Sequence, residues 1–425
     1  MLEERIVLPT TFDVDVIVAG GGIAGLTAAI ASARNGAETL LVERYNFLGG
    51  LATGGYVTYL APPPIPLEKG GYGGIFQEIV ERLFSLGAAY QFKEDEGGAR
   101  AGEIIFDGEM LKYVANQMVL ESKVMLLLNT CIEGAIVKEG SIEGLIALNK
   151  SGRQILRGKV FIDSTGDGDV AAFAGAPYEK TEVSKMLPIT MMYTIGGVDI
   201  PRFLAYLKED PGLVKAAKRA NFTTAGKARG PSMISLHRVC KDQVEVWGGS
   251  VKADGTDALD LTRAELELRD RIFLELDFLR KNVPGFEAAY IASSSPYVGV
   301  RETRRVLGEY ILTADDLRTG RCFEDSVAWY RDPRFPGAKG KYIPYRCLIA
   351  KGLKNLLVAG RCFSVTHEAL DMCRLVNECS IMGQAAGTAA AMAARRNLGV
   401  RDLEVSELRK KLVEQGAFVE EPMKG

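Results

Sequence analysis

Residues 14–43 read VDVIVAGGGIAGLTAAIASARNGAETLLVE. The opening run, Val14 to Ala19, is apolar apart from Asp15, as expected of a strand buried in a parallel sheet. Gly20-Gly21-Gly22-Ile23-Ala24-Gly25 follows and matches G-x-G-x-x-G. An Ala- and Leu-rich helix is expected from Ile23 to Asn35, with Gly36 placed to end it. A second strand, Thr39 to Val42, then delivers Glu43. Each residue type has a physical task. Gly20 permits a tight turn, Gly22 lets a pyrophosphate approach the backbone, and Gly25 lets the helix pack close to the strand. The helix start, at Ile23 and Ala24, offers free N–H groups and partial positive charge to phosphates. Glu43 is placed to accept from ribose hydroxyls and would repel a 2′-phosphate, which disfavours NADP. A lone glycine motif is weak, but strand, glycines, helix, strand and acid in this order point to a dinucleotide.

The next residues distinguish a longer cofactor from NAD. Arg44 is followed by Gly49-Gly50 and Thr53-Gly54-Gly55, where an NAD domain continues into another helix and strand. An extended glycine-rich run suits a backbone laid along the pyrophosphate and ribityl chain of FAD. A second piece, KVFIDSTGDGD at 159–169, is a short strand ending near Thr165, Gly166 and Asp167. It follows hairpin signals from about Ile132 to Leu156, a three-stranded excursion expected in FAD domains. A third piece, NLLVAGR at 355–361, is a strand ending at Gly360-Arg361. A helix is expected from about Asn377 to Arg395. Its small residues, Gly383 among them, allow close approach to sheet or cofactor, and its N-terminus suits the flavin pyrimidine edge, where charge builds on reduction.

Together these stretches resemble the FAD-dependent oxidoreductases with the glutathione-reductase-type FAD fold. More narrowly, VGVRETRRVLGEYILTADD at 298–316 and NLLVAGRCFSVTHEAL at 355–370 resemble a broad bacterial group of FAD-dependent oxidoreductases, mostly uncharacterised. The resemblance runs from about Val14 to Ala394. It implies that Gly20, Gly22, Gly25, Glu43, Arg44 and Gly50 line the adenosine diphosphate half of FAD. It also implies that Gly166 and Asp167 lie near the cofactor and that Gly360 and Arg361 reach its ribityl region. Many relatives carry Gly-Asp where this chain has Gly360-Arg361, so the ribityl contact differs here. The fold class expected is α/β, a Rossmann-like FAD domain with an inserted α+β substrate or cap domain. Its parts are 1–179 (with a wall segment at 52–130), the insertion 180–298, and the return 299–425.

In the insertion, Leu261, Ala264, Leu268, Ile272, Leu276, Leu279 and Val283 form one apolar stripe, read as helix core. Thr262 with Glu265 reads as its capping box, and Pro284-Gly285 as its stop. Strands are expected at Met233 to Val239 and Gln243 to Val251. No second G-x-G-x-x-G appears there, so no nicotinamide domain is expected. Chemistry falls to few candidates. His367, in SVTHEA, is read either as a general base or as a residue orienting the flavin loop. His237 reads as structural. Arg301, Arg304 and Arg305 with Glu302 read either as a salt-bridged turn or, through Arg301 first, as a carboxylate clamp. Tyr297 is a weaker candidate for the same pocket.

The whole chain is compatible with this. Its 425 residues carry a formal net charge of −2, without the basic surplus of a nucleic-acid binder. Seven cysteines, Cys131, Cys240, Cys322, Cys347, Cys362, Cys373 and Cys379, lack Cys-x-x-Cys spacing, so neither a disulfide framework nor a structural zinc site is expected. Cys379, at a helix start, is a candidate for a lowered pKa. No secretory signal and no apolar run of ~20 residues is seen, so a cytoplasmic location and no membrane partner are expected. The expected activity is hydride exchange between a small-molecule substrate and flavin N5, with no metal. A flavin-dependent RNA-modifying enzyme and an electron-transfer subunit of a redox complex remain as alternatives, and a second copy or a redox partner is left open.

Overall fold

The apolar run ending at Ala19 forms the strand Thr10–Ala19, in the middle of the largest sheet. Val16 to Ala19 are fully buried, as a parallel strand covered on both faces requires. The computed structural model describes residues 7–95, 99–209, 233–237, 239, 242–333 and 337–422. Cys240 and residues 210–232 lie outside them.

Across the parallel part of the sheet the order is Met125–Leu127, Thr39–Val42, Thr10–Ala19, Gly152–Asp163 and Leu356–Val358, each pairing parallel. The chain builds outward on one side of Thr10–Ala19 and then changes side, which creates the crevice where open α/β sheets bind ligands. The strand Gly152–Asp163 serves two layers. Its first half closes an antiparallel meander with Ser141–Asn149 and Cys131–Lys138. Its last three residues pair with Leu356–Val358. The last strand of the expected excursion and the return to the main sheet are therefore one continuous strand. No helix among the described residues is long and apolar enough to cross a membrane.

Two helices close over this sheet. Ile23–Arg34 lies directly against Val376–Arg396 because small residues line both. A Cβ on Gly383 would stand 2.1 Å from the Ala24 carbonyl oxygen, and one on Gly387 2.0 Å from that of Ala28. Thr27 Oγ1 donates to the Ser380 carbonyl at 2.8 Å across the same contact.

A second sheet has the order Met233–Leu236, Val244–Val251, Ile189–Gly196, Tyr290–Ser294, antiparallel throughout. It has its own apolar core, with Phe203, Phe286, Leu268 and Leu276 among its residues. The helix Ala258–Asn282 supplies the expected stripe: Ala264, Leu268, Ile272, Leu276 and Leu279 are buried. Its start differs from the expected capping box. Asp257 is the N-cap and accepts from Asp260 N at 2.8 Å, one turn before Thr262. Thr262 instead donates back to the Ala258 carbonyl.

Glu275 on this helix is buried and accepts from the Tyr193 hydroxyl at 2.8 Å. Burial pushes its carboxyl up from an ordinary 4.5 to about 7. The folded state thus holds a proton that the unfolded state releases, so stability falls as pH rises through this interval. Glu275→Gln should flatten that part of the pH profile, gaining at most on the order of 3 kcal/mol over the wild type at pH 8. Urea midpoints of both proteins between pH 5 and 8 test this; parallel profiles would show that Glu275 does not titrate here.

Candidate functional site

A cavity of about 950 Å³ opens where the sheet changes direction, and the three separated stretches all reach it. The glycine loop shows a division of labour. Gly20 has φ +97°, and a Cβ there would meet the Ser164 carbonyl oxygen at 2.4 Å. Ser164 Oγ donates to the carbonyls of Ala19 and Gly20 and ties the first stretch to the second. Gly22 lines the cavity, and a Cβ on it would meet nothing within 4 Å. Gly25 does not line the cavity. Its Cβ would stand 1.8 Å from the Gly20 carbonyl oxygen, so it is a packing residue and not a cofactor contact.

Glu43 lines the cavity from the end of the second strand. Its two carboxylate oxygens accept from the backbone N–H groups of Gly21 and Tyr45. A carboxylate has about four lone-pair sites, so capacity remains for a ligand. Burial pushes its carboxyl up, opposed by those two N–H donors and by the charge of Arg44. Arg44 lines the same region, and its guanidinium lies 4.9 Å from the Tyr45 ring centre. The second glycine run lies against the first: Gly49 N donates to the Gly21 carbonyl at 2.8 Å, and a Cβ on Gly50 would stand 2.9 Å from Gly22 Cα.

The turn after Gly152–Asp163 is held by the buried Asp163. It accepts from Thr165 N, Thr165 Oγ1 and Ala171 N, and burial pushes its carboxyl up to about 6. Thr165, Gly166 and Asp167 thereby line the cavity beside Gly360 and Arg361. Arg361 Nη1 is 2.8 Å from Asp167 Oδ1, which also accepts from Thr303 Oγ1. The Arg361 guanidinium is thus balanced by Asp167.

The helix Val376–Arg396 brings its first turn to the cavity. Asn377 lines it, is 1% exposed, and neither its amide oxygen nor its nitrogen has a hydrogen-bond partner among the described residues. Gly383 lies two turns further on against Ala24, so the expectation that it touches the cofactor is corrected to helix packing. Burial pushes the Cys379 thiol up to about 12, the reverse of the expected lowering. Cys362, His367, Cys373 and Cys379 form no metal-holding group among the described residues.

The basic cluster divides. Arg304 is paired with Asp169 at 2.9 Å, and Arg305 with Glu302 at 2.6 Å and Glu179 at 3.4 Å. These two make the salt-bridged turn. Arg301 alone of the three lines the cavity. His367 is not brought there. Its Nδ1 lies 2.9 Å from Glu302 Oε1, on a buried carboxylate that also takes Arg305, Thr181 and Leu187 N. A ring committed to that network, away from the cavity wall, does not have the placement of a general base. Tyr297 does line the cavity and stacks on Tyr45, with centroids 4.5 Å apart and planes 5° apart.

Sequence reasoning missed part of the wall. Met192 and Trp247 come from the second sheet, and Leu261 from the start of the helix Ala258–Asn282, where its stripe reads as core. Arg374 and Asn377 flank the start of the last long helix, and only a search for polar residues at that N-terminus would have found them.

A family model described as FAD dependent oxidoreductase matches residues 15–412. The chain belongs to that family. The residues of this FAD-dependent oxidoreductase fit the cofactor: Gly22 leaves its side of the loop open, Glu43 keeps free acceptor capacity, and Asn377 presents an unpartnered amide. A thiamine thiazole synthase of Methanococcus maripaludis is 30% identical over 171 residues, 36% of this chain and 56% of that protein. A tRNA uridine 5-carboxymethylaminomethyl modification enzyme of Geobacter sulfurreducens is 29% identical over 155 residues, 36% of this chain and 24% of that protein. The chain therefore spans 56% of the first of these relatives' length and less of the second's. A geranylgeranyl bacteriochlorophyll reductase-like protein from Thermoplasma acidophilum shares the fold across 96% of this chain and 84% of its own, at 14% identity and TM-score 0.52. A p-nitrophenol 4-monooxygenase from Pseudomonas putida does so across 95% and 86%, at 12% identity and TM-score 0.52.

Proposed function

We propose that this FAD-dependent oxidoreductase acts on a small organic substrate held between a glutathione-reductase-type FAD domain and the second sheet, which serves as its cap. On this reading residues 1–179 and 299–425 form the cofactor domain and 180–298 the inserted substrate domain. One observation carries it: a single cavity has Gly22 and Glu43 on one wall and Met192 and Trp247 of the second sheet on another. FAD, when bound, supplies two-electron redox chemistry at its isoalloxazine ring. The chain's own residues do the rest. Gly22, Gly50 and the N-terminus of Ile23–Arg34 hold the pyrophosphate, and Glu43 holds the adenosine ribose. Gly166, Gly360 and the Asp167–Arg361 pair flank the ribityl chain. Asn377 and its helix N-terminus meet the pyrimidine edge, where helix partial charge favours an anionic ring. Met192, Trp247 and Leu261 exclude water from above. His367 acts by positioning Glu302.

Anaerobic mixing of the purified protein with candidate alcohols, amines and acids should identify a substrate by loss of flavin colour. Glu43→Arg should weaken FAD retention by at least about 10-fold, because it removes an acceptor and buries a second cation beside Arg44. FAD released on denaturation measures this, and unchanged retention would place the ribose elsewhere.

A further inference from the structure

Arg301 differs from every other arginine of its cluster. Arg304, Arg305 and Arg361 each have a carboxylate within 3.4 Å. Arg301 is mostly buried, lines the cavity, and has neither a hydrogen bond nor an ion pair among the described residues. Its guanidinium brings five donors. The charges acting on it are those of Arg374, which repels it, and Asp371, which attracts it. Burial, followed by Arg374, pushes the Arg301 guanidinium down to about 10, so it stays charged at neutral pH.

Arg374 also lines the cavity. It commits Nη2 to Asp371, and its Nε is buried without a partner. The two arginines therefore put two positive charges beside one carboxylate, which is itself exposed and committed to Arg374. Holding the Arg301 cation largely out of water with no ion pair of its own is costly, and a buried donor without a partner, such as Arg374 Nε, is rare enough to need a cause. The same cavity has a largely apolar part: Val298 and Val300 precede Arg301 in the chain, and Met192, Trp247, Leu261 and Leu266 line it as well, with Thr190, Thr262 and Glu265 among them.

We propose that Arg301 and Arg374 form the anion subsite of this cavity, and that the substrate is an organic carboxylate with an apolar body. The proposal rests on the reading that substrate and FAD share the cavity. A planar fork of N–H groups suits a carboxylate held by two parallel hydrogen bonds. The apolar wall then selects against small, fully hydrated anions, which gain nothing from it.

Calorimetric titration of the FAD-loaded protein with benzoate, phenylacetate and hexanoate, each against its own amide, tests this, with inorganic phosphate as a small-anion control. At least one carboxylate should bind saturably, about 10-fold or more tighter than its amide and than phosphate. Arg301→Gln should lower that affinity by about 10- to 100-fold with FAD content unchanged, and Arg301→Lys should recover only part of it. Arg374→Gln should weaken the same carboxylate, which keeps the test open if Arg301→Gln does not fold. Amides as tight as acids, phosphate as tight as the carboxylates, no binding by any of the three acids, or full binding by Arg301→Gln would each overturn the proposal. FAD is counted in the same samples. Protein that carries no FAD yet binds carboxylates through Arg301 would sink the cofactor reading alone. FAD-loaded protein that binds acids and amides equally would sink the carboxylate subsite alone.

Discussion

Gly22→Ala should purify as a folded protein that has lost its FAD. Gly22 has φ −60° and ψ 176°, a conformation open to any L-residue. A Cβ placed there meets nothing within 4 Å, so neither strain nor collision opposes the methyl group. What it takes up is the space beside the loop backbone into which a pyrophosphate must come to reach the N–H groups at the start of Ile23–Arg34. The expected loss of FAD affinity is at least about 100-fold, or about 2.8 kcal/mol at 1.4 kcal/mol per tenfold. Two measurements check it: the FAD released per protein on denaturation, and the thermal midpoint of the cofactor-free protein, which should match that of cofactor-free wild type. A variant that retains FAD at the wild-type level would move the pyrophosphate away from this loop.

Gly383→Ala should do the opposite, destabilising the fold while the surviving folded protein keeps its FAD. The added Cβ would stand 2.1 Å from the Ala24 carbonyl oxygen and 2.4 Å from Thr27 Oγ1. The nearer obstacle is backbone, so no rotamer change relieves it. The two helices must separate, and the layer closing over the sheet opens with them. Overpacking of this kind costs about 1–3 kcal/mol and more where backbone must shift, so a loss of at least about 2 kcal/mol is expected. Urea midpoints measure it. If stability is unchanged and only FAD is lost, Gly383 belongs to the cofactor site after all.

These two glycines show how far a sequence motif can be read. In the first motif, spacing alone separates the roles, because strand, turn and helix follow one another within a few residues. Gly20 turns, Gly22 opens and Gly25 packs, and the geometry agrees with each task. Gly383 carries no such local order. Whether a small residue on a helix faces a ligand or a neighbouring helix depends on what lies across from it, here Ala24 and Thr27, more than 350 residues earlier in the chain. The same limit applies to the arginines. GVRETRR contains three, and composition cannot say that Arg304 finds Asp169 and Arg305 finds Glu302 while Arg301 faces the cavity. His367 was drawn toward the chemistry by its nearness in sequence to Gly360-Arg361. Glu302, 65 residues earlier, holds its ring elsewhere.

By itself the sequence determined that this chain builds a parallel sheet around Thr10–Ala19 and singled out the turn after it, together with the stretches near Gly166 and Gly360, which the fold brings to one cavity. Those properties rest on local causes: backbone conformations only glycine tolerates easily, apolar runs with the period of a strand, and an acid at the end of one. Only the tertiary structure decided which polar groups are left without partners. Arg301, the Nε of Arg374 and the Asn377 amide stand out because nearby charged groups such as Arg304 and Arg361 are satisfied by contacts between distant segments. Pairing is a property of the folded whole, since a charge is neutralised by whatever the chain brings beside it, at any separation in sequence.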